Sequence, residues 1–224
     1  NLFATRLPAT LTVMVPILLL DTLLAIPIAL LVAYLRGSLT DRSIMVATTV
    51  ALSISFLVYV IVGQYVFAFQ LGWFPVQGWT DSLATNLFVY TPLPVLLAVM
   101  VGVAPQTRLY RTFFLDEIGQ DYVRTARAKG MTEPVVLLGH VLRNALIPIL
   151  TNLAVALPGI FVGSFLIEVF FSIPGLGREV LLAVNRSDYP VIQAVTIYLA
   201  LITMAVNVAT DVLYTFADPR VVLK

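Results

Sequence analysis

The sequence predicts an all-α, polytopic transmembrane helix bundle with five spans in this chain, and three observations carry that reading. The 224 residues are 60% hydrophobic and 11% charged, with a mean hydropathy of +0.98, far from the balance of a soluble domain. Four runs, residues 44–71, 82–107, 144–167 and 189–210, contain no Asp, Glu, Lys or Arg. Each exceeds the roughly 20 residues that cross about 30 Å of hydrocarbon as a helix. A fifth run, residues 7–35, is interrupted only by Asp21. Five such spans leave no room for a separate soluble core, so residues 1–224 read as one membrane domain.

In the first run, fourteen uncharged residues flank Asp21 on each side, which puts the carboxyl near mid-membrane. An Asp there costs about 2.5 to 3.5 kcal/mol on insertion scales, so Asp21 is expected to face the bundle or a water-filled path. It serves either as a pathway group or as a protonated or hydrogen-bonded packing residue. After the second run, Gly72-Trp-Phe-Pro-Val-Gln-Gly-Trp79 places two tryptophans among turn residues at a span end, as interfacial anchoring expects.

The stretch between residues 108 and 143 changes character. Asp116, Glu117, Asp121, Arg124, Arg127, Lys129, Glu133 and His140 crowd a window too charged to span. Asp121 is expected to cap a short helix and Gly130 to stop it in the left-handed region. About nine residues rise about 13 Å, a length that is marginal alone in water, so the helix needs a surface to dock on. Ala126 and Ala128 keep it thin enough to enter a groove, while Arg124, Arg127 and Lys129 offer charge to the rim. From the residues alone two readings stand: a knob for a soluble partner, or a basic loop on anionic headgroups. A second short helix is expected from Thr132, with Pro134 in its first turn, running towards Arg143.

The fourth run contains Gly159-Ile-Phe-Val-Gly163, a small-residue spacing that allows close helix approach. It ends at Glu168, readable as a carboxylate meeting substrate or as an interfacial charge at a span end. In the fifth run Asn207 and Asp211 lie four apart on one helix face, suited to helix-to-helix contact or to a ligand.

The thirteen basic residues set the orientation. Placing Arg36 and Arg42 inside also places Arg108, Arg111, Arg124, Arg127, Lys129, Arg143, Arg220 and Lys224 there, ten against three for Arg6, Arg178 and Arg186. The C-terminus is therefore expected in the cytoplasm. An outward start without a signal-peptide pattern leads to the expectation of a further helix before residue 1, giving six spans.

The exclusions are chemical. A net charge of +1 argues against nucleic acid as a partner, and zero cysteines remove disulfides and thiolate metal sites. His140 is the only histidine, so no histidine-rich metal site can form within the chain. Phosphate-loop, zinc-protease and nucleophile-elbow motifs are missing, so the chain is not expected to be an enzyme.

Gln120-Asp-Tyr-Val-Arg-Thr-Ala-Arg-Ala-Lys-Gly130, followed by His140-Val-Leu-Arg-Asn-Ala-Leu-Ile-Pro148, resembles the coupling-loop signature of permease subunits of ATP-binding-cassette importers in the dipeptide/oligopeptide/nickel group. Phe171-Ser-Ile-Pro-Gly-Leu-Gly177, Asp188-Tyr-Pro190, Asp211-Val-Leu-Tyr214 and Ala217-Asp-Pro-Arg220 extend the resemblance nearly end to end. It implies a type I importer permease fold in a bacterial inner membrane, without cofactor in this chain. It further implies two cytoplasmic ATPase subunits carrying ATP and Mg, a second homologous permease and an extracytoplasmic substrate-binding protein. The coupling residues implied are Asp121, Tyr122, Arg124, Thr125, Ala126, Arg127, Ala128, Lys129 and Gly130. Thr125 stands where the general importer pattern has its first alanine. The competing class is a proton-coupled secondary transporter that uses Asp21 or Asp211 and needs no ATPase.

Overall fold

In the computed structural model every regular element among the described residues is helical; backbone is described for residues 2–217 and side chains for residues 3–209. The elements are α1 (Leu2–Tyr34), α2 (Leu39–Ser53), α3 (Phe56–Gly63), α4 (Leu83–Thr85), α5 (Pro92–Ile118), α6 (Asp121–Ala128), α7 (Glu133–Val136), α8 (Leu142–Val162), α9 (Phe165–Phe170), α10 (Leu176–Asn185) and α11 (Tyr189–Ala217). Wide π-type turns occupy Gln64–Gln70, Asn86–Tyr90 and Leu137–Val141. The last of these joins α7 to α8 without a break.

Four stretches are long and apolar enough to cross a membrane: Phe3–Tyr34, Pro92–Ile118, Glu133–Phe170 and Tyr189–Ala209. A fifth crossing is available if Leu39–Ser53 and Phe56–Gln70, bent by 88° at their junction, act as one span. The sequence predicts one continuous second span, whereas the helix breaks between Ser53 and Phe56. Thr49 donates its hydroxyl to the Met45 carbonyl (2.8 Å) and Ser53 to that of Thr49 (2.8 Å), back-bonding that bends helices. Ile54 then leaves the helical region altogether (ψ 130°). The third span also differs from expectation. It begins at Pro92 rather than residue 82, and α5 runs past Arg108 and Arg111 to Ile118. The second short helix of the charged window starts at Glu133 but continues into the following span instead of ending near Arg143.

The chain divides into two compact units. One comprises Ile17–Tyr59 and Leu96–Leu153. Its core is built on Ala25, Ala29 and Ala33 of α1, small residues four apart that present one face. Tyr110 and Phe114 of α5 and Ala145 and Ile149 of α8 pack into the same cluster. In lipid such contacts stabilise through close packing rather than through the hydrophobic effect. At the start of α2, Ser38 Oγ accepts from Asp41 N–H (3.2 Å). Asp41 accepts from Gly37 N–H (2.9 Å) and from Nε and Nη2 of the Arg111 guanidinium (3.1 and 2.9 Å). That buried fork fixes the α1–α2 turn on α5.

The other unit takes the described residues within Asn1–Pro16, Val60–Val95 and Ala154–Lys224. Val13, Val60, Leu93, Ile173 and Leu176 are among its fully buried side chains. Hydrogen bonds knit the Trp-containing loop to the turn after α9. Gln64 Nε2–H donates to the Val76 and Phe170 carbonyls (2.9 and 3.0 Å), Gly78 N–H to the Phe171 carbonyl (3.3 Å) and Ser172 Oγ–H to Gln77 Oε1 (2.8 Å).

Candidate functional site

Helix α6 is eight residues long, about 12 Å. The N-cap position falls on Gln120, one residue before the expected Asp121, and Gln120 makes no side-chain capping bond. Asp121 instead occupies the first turn, where the exposed N–H groups favour a carboxylate. The other end follows the prediction at Gly130. Its φ is +80°, its N–H donates to the Arg127 carbonyl (2.9 Å), and Met131 N–H donates to that of Ala126 (3.3 Å). This paired closure is a Schellman motif.

Three ties hold α6 to its own unit. Val123 (0% exposed) and Ala126 (6%) enter the core beside Phe114 and Val136, with Met131 packed against them. The Tyr122 hydroxyl donates to Glu117 Oε2 (2.6 Å). Burial first, then this bond and the Glu117 charge, raises the Tyr122 phenol above its ordinary value, so it stays a neutral donor. Arg127 forks onto Glu133 through Nε (2.9 Å) and Nη2 (3.2 Å).

The expectation that Ala126 and Ala128 thin the same outward surface is corrected by this geometry. Ala126 faces the protein, because residues 123 and 126 share the inward face at a spacing of three. The open face carries Asp121, Arg124, Thr125, Ala128, Lys129 and Gly130, all exposed. Arg124 pairs with Asp121 at 3.3 Å, but both side chains are largely in solvent, so the pair adds little stability. A cation-bearing, small-residue face on a helix already docked from behind is suited to entering a groove of another protein.

The polar residues of the spans fare differently. Asp21 heads the Ala25, Ala29, Ala33 stripe and lies over Gly102 of α5, where an added methyl would overlap its carboxyl group. It therefore faces the interior of its unit, as a mid-membrane acid must, and its buried Oδ1 has no hydrogen-bond partner. Glu168 does not present itself to a substrate, contrary to that reading of it, because the side chain is turned inward and is 1% exposed. Thr10 Oγ1–H donates to its Oε1 (2.9 Å) and Arg178 N–H to its Oε2 (2.8 Å). Leu176 N–H in turn donates to Thr10 Oγ1 (2.8 Å), so Glu168 and Thr10 together cap the start of α10.

Gly163 and Gly175 leave the space that the Glu168 carboxyl fills, and Gly177 lies against it. Gly163 also ends α8 at φ +76°, so the 159–163 spacing is not a continuous helix-packing face. Asn207 is exposed on α11, and the side chain of Asp211 lies outside the described residues. Sequence reasoning missed Thr10, Glu117 and Glu133 as partners. The one usable signal was Glu168 followed closely by the glycine pair of Pro174-Gly-Leu-Gly177.

Long apolar helices, with the short α6 presenting a polar face between two of them, make this a multi-pass membrane protein. Residues 25–223 match the family described as binding-protein-dependent transport system inner membrane component, and the chain belongs to that family. It is similar to the oligopeptide transport system permease protein AppB of Bacillus subtilis (strain 168), 35% identical over 226 residues that cover 99% of this chain and 71% of the relative. It is also similar to the di/tripeptide transport system permease protein DppB of Pseudomonas aeruginosa (strain UCBPP-PA14), 32% identical over 241 residues covering 98% of this chain and 72% of the relative. The chain is thus the translocating subunit of an importer rather than an enzyme.

Proposed function

We propose that this chain forms part of the path by which di- and oligopeptides cross the membrane, and that α6 couples that path to two cytoplasmic ATPase subunits. ATP and Mg belong to those subunits, not to this chain. A second homologous permease completes the path, an extracytoplasmic binding protein delivers the peptide, and the C-terminus faces the cytoplasm. The relatives named for oligopeptide and di/tripeptide transport support the cargo. The ten-to-three distribution of basic residues supports the orientation. Asn207, exposed on an apolar helix, supports a neighbouring permease, since an amide facing lipid alone is unfavourable. No observation favours the proton-coupled carrier.

The observation that carries the coupling role is the open face of α6 ending at Gly130, where an ideal Cβ meets nothing within 4 Å. A side chain placed there enlarges the outward surface without disturbing the subunit's interior. The backbone strain of a non-glycine residue at positive φ is about 1–3 kcal/mol. In proteoliposomes holding the whole assembly, Gly130→Trp is expected to abolish peptide-stimulated ATP hydrolysis, while Gly130→Asn, which tolerates this backbone, retains most of it. Full stimulation in Gly130→Trp would falsify the coupling assignment.

A further inference from the structure

We infer that Arg127 and Glu133 form a brace that fixes the angle between α6 and the span entered through α7, making Glu133 a positioning residue for coupling. The proposal deepens the coupling role of α6 and rests on it.

The chain between α6 and α7 is Lys129 to Thr132, a short turn through the positive φ of Gly130. Core contacts of Val123 and Ala126 hold the inward face of α6, and the Tyr122–Glu117 bond ties its first turn back to α5. Its last turn, which leads into Gly130, lies beyond the Tyr122 tie. The Arg127 fork fixes that turn, because Nε and Nη2 of the guanidinium each engage one Glu133 oxygen across it. Two parallel bonds fix direction as well as distance. Glu133 sits in the first turn of α7, and α7 continues through the Leu137–Val141 turn into α8. A push on the open face of α6 therefore reaches the span through a rigid joint rather than a hinge.

Arg127 is thereby removed from the set of charges offered outward, leaving Arg124 and Lys129 for the partner. Both side chains of the pair are near 37–38% exposed, so the bond contributes little to folding, and its removal leaves the subunit intact. The expected effect is on transmission.

The experiment is a double-mutant cycle in the reconstituted assembly with Arg127→Gln, Glu133→Gln and the double variant, reading peptide imported per ATP hydrolysed. Each single variant is expected to lower that ratio by about two- to fivefold, the range of an exposed pair's interaction. The double variant is expected to match the worse single one. In the same membranes Ala128→Cys reports docking by cross-linking of the introduced thiol to the ATPase subunit, and capture is expected to be equal in all variants. An unchanged ratio, or losses that multiply in the double variant while the thiol is still captured, overturns the brace alone. A parent assembly carrying Ala128→Cys in which no cross-link ever forms overturns the docking of α6 and the brace with it.

Discussion

Replacing Gly175 by Ala tests the carboxylate cage with little ambiguity. Gly175 has φ −93°, a conformation open to any residue, so no backbone strain enters. A methyl group at this position, however, would overlap the Glu168 carboxyl group. The carboxylate must then leave the Thr10 hydroxyl and the Arg178 N–H, bonds of 2.9 and 2.8 Å in a site 1% exposed. Hydrogen bonds to a charged group contribute about 1.5–3 kcal/mol each, which puts the loss at about 3–6 kcal/mol. Gly159→Ala is the matched control, since its Cβ meets nothing within 4 Å inside the regular helix α8. There the substitution should stabilise by about 0.5–1 kcal/mol. The assay is thermal unfolding of the purified subunit in detergent, followed by fluorescence of Trp73 and Trp79. Gly175→Ala should lower the midpoint on the order of 10 °C and Gly159→Ala should not lower it. Equal midpoints for Gly175→Ala and the parent would refute the cage.

Removing Asp41 leaves the Arg111 guanidinium, 18% exposed, without its partner. Asp41→Ala should cost about 3–5 kcal/mol, with a double-mutant cycle against Arg111→Ala giving a coupling above about 1 kcal/mol. Asp21→Ala removes a carboxyl whose buried Oδ1 is unpaired, so thermal stability should hold or rise by about 1 kcal/mol; a large loss would mean that the acid has a partner in the fold. Tyr122 has a raised phenol pKa, so its contribution to stability is complete below the ordinary value of about 10 and fades as the pH climbs through the folded one. Unfolding curves of parent and Tyr122→Phe should converge only in that alkaline range.

Spans were legible because hydropathy needs only length and the absence of charge. What escaped was any feature set by hydrogen bonds that the hydropathy pattern does not encode. Ser53, Ile54 and Ser55 look like ordinary members of an apolar run, yet the helix breaks there, with Ile54 extended. Arg108 and Arg111 look like the end of a span, but the helix runs on to Ile118 and Arg111 pairs with Asp41 seventy positions away. The end of α6 was readable because Gly130 is a local backbone requirement. Its inward face was not, because deciding between Ala126 and Ala128 requires knowing where Phe114 and Val136 sit. Glu168 was noticed and misassigned for the same reason, its partner Thr10 lying 158 residues distant.

The wide turn at Leu137–Val141 inserts one residue more than an α-helix would use between the charged hairpin and the membrane segment behind it. Each residue of an α-helix advances about 100° around the axis. The wide turn takes up that surplus position locally, so the hairpin keeps its azimuth on the segment despite the extra residue. Deleting one residue there would let the turn close as regular helix with Glu133 near its place, whereas deleting one from the regular helix beyond it would swing Glu133, and whatever is bolted to it, by more than a quarter of a revolution.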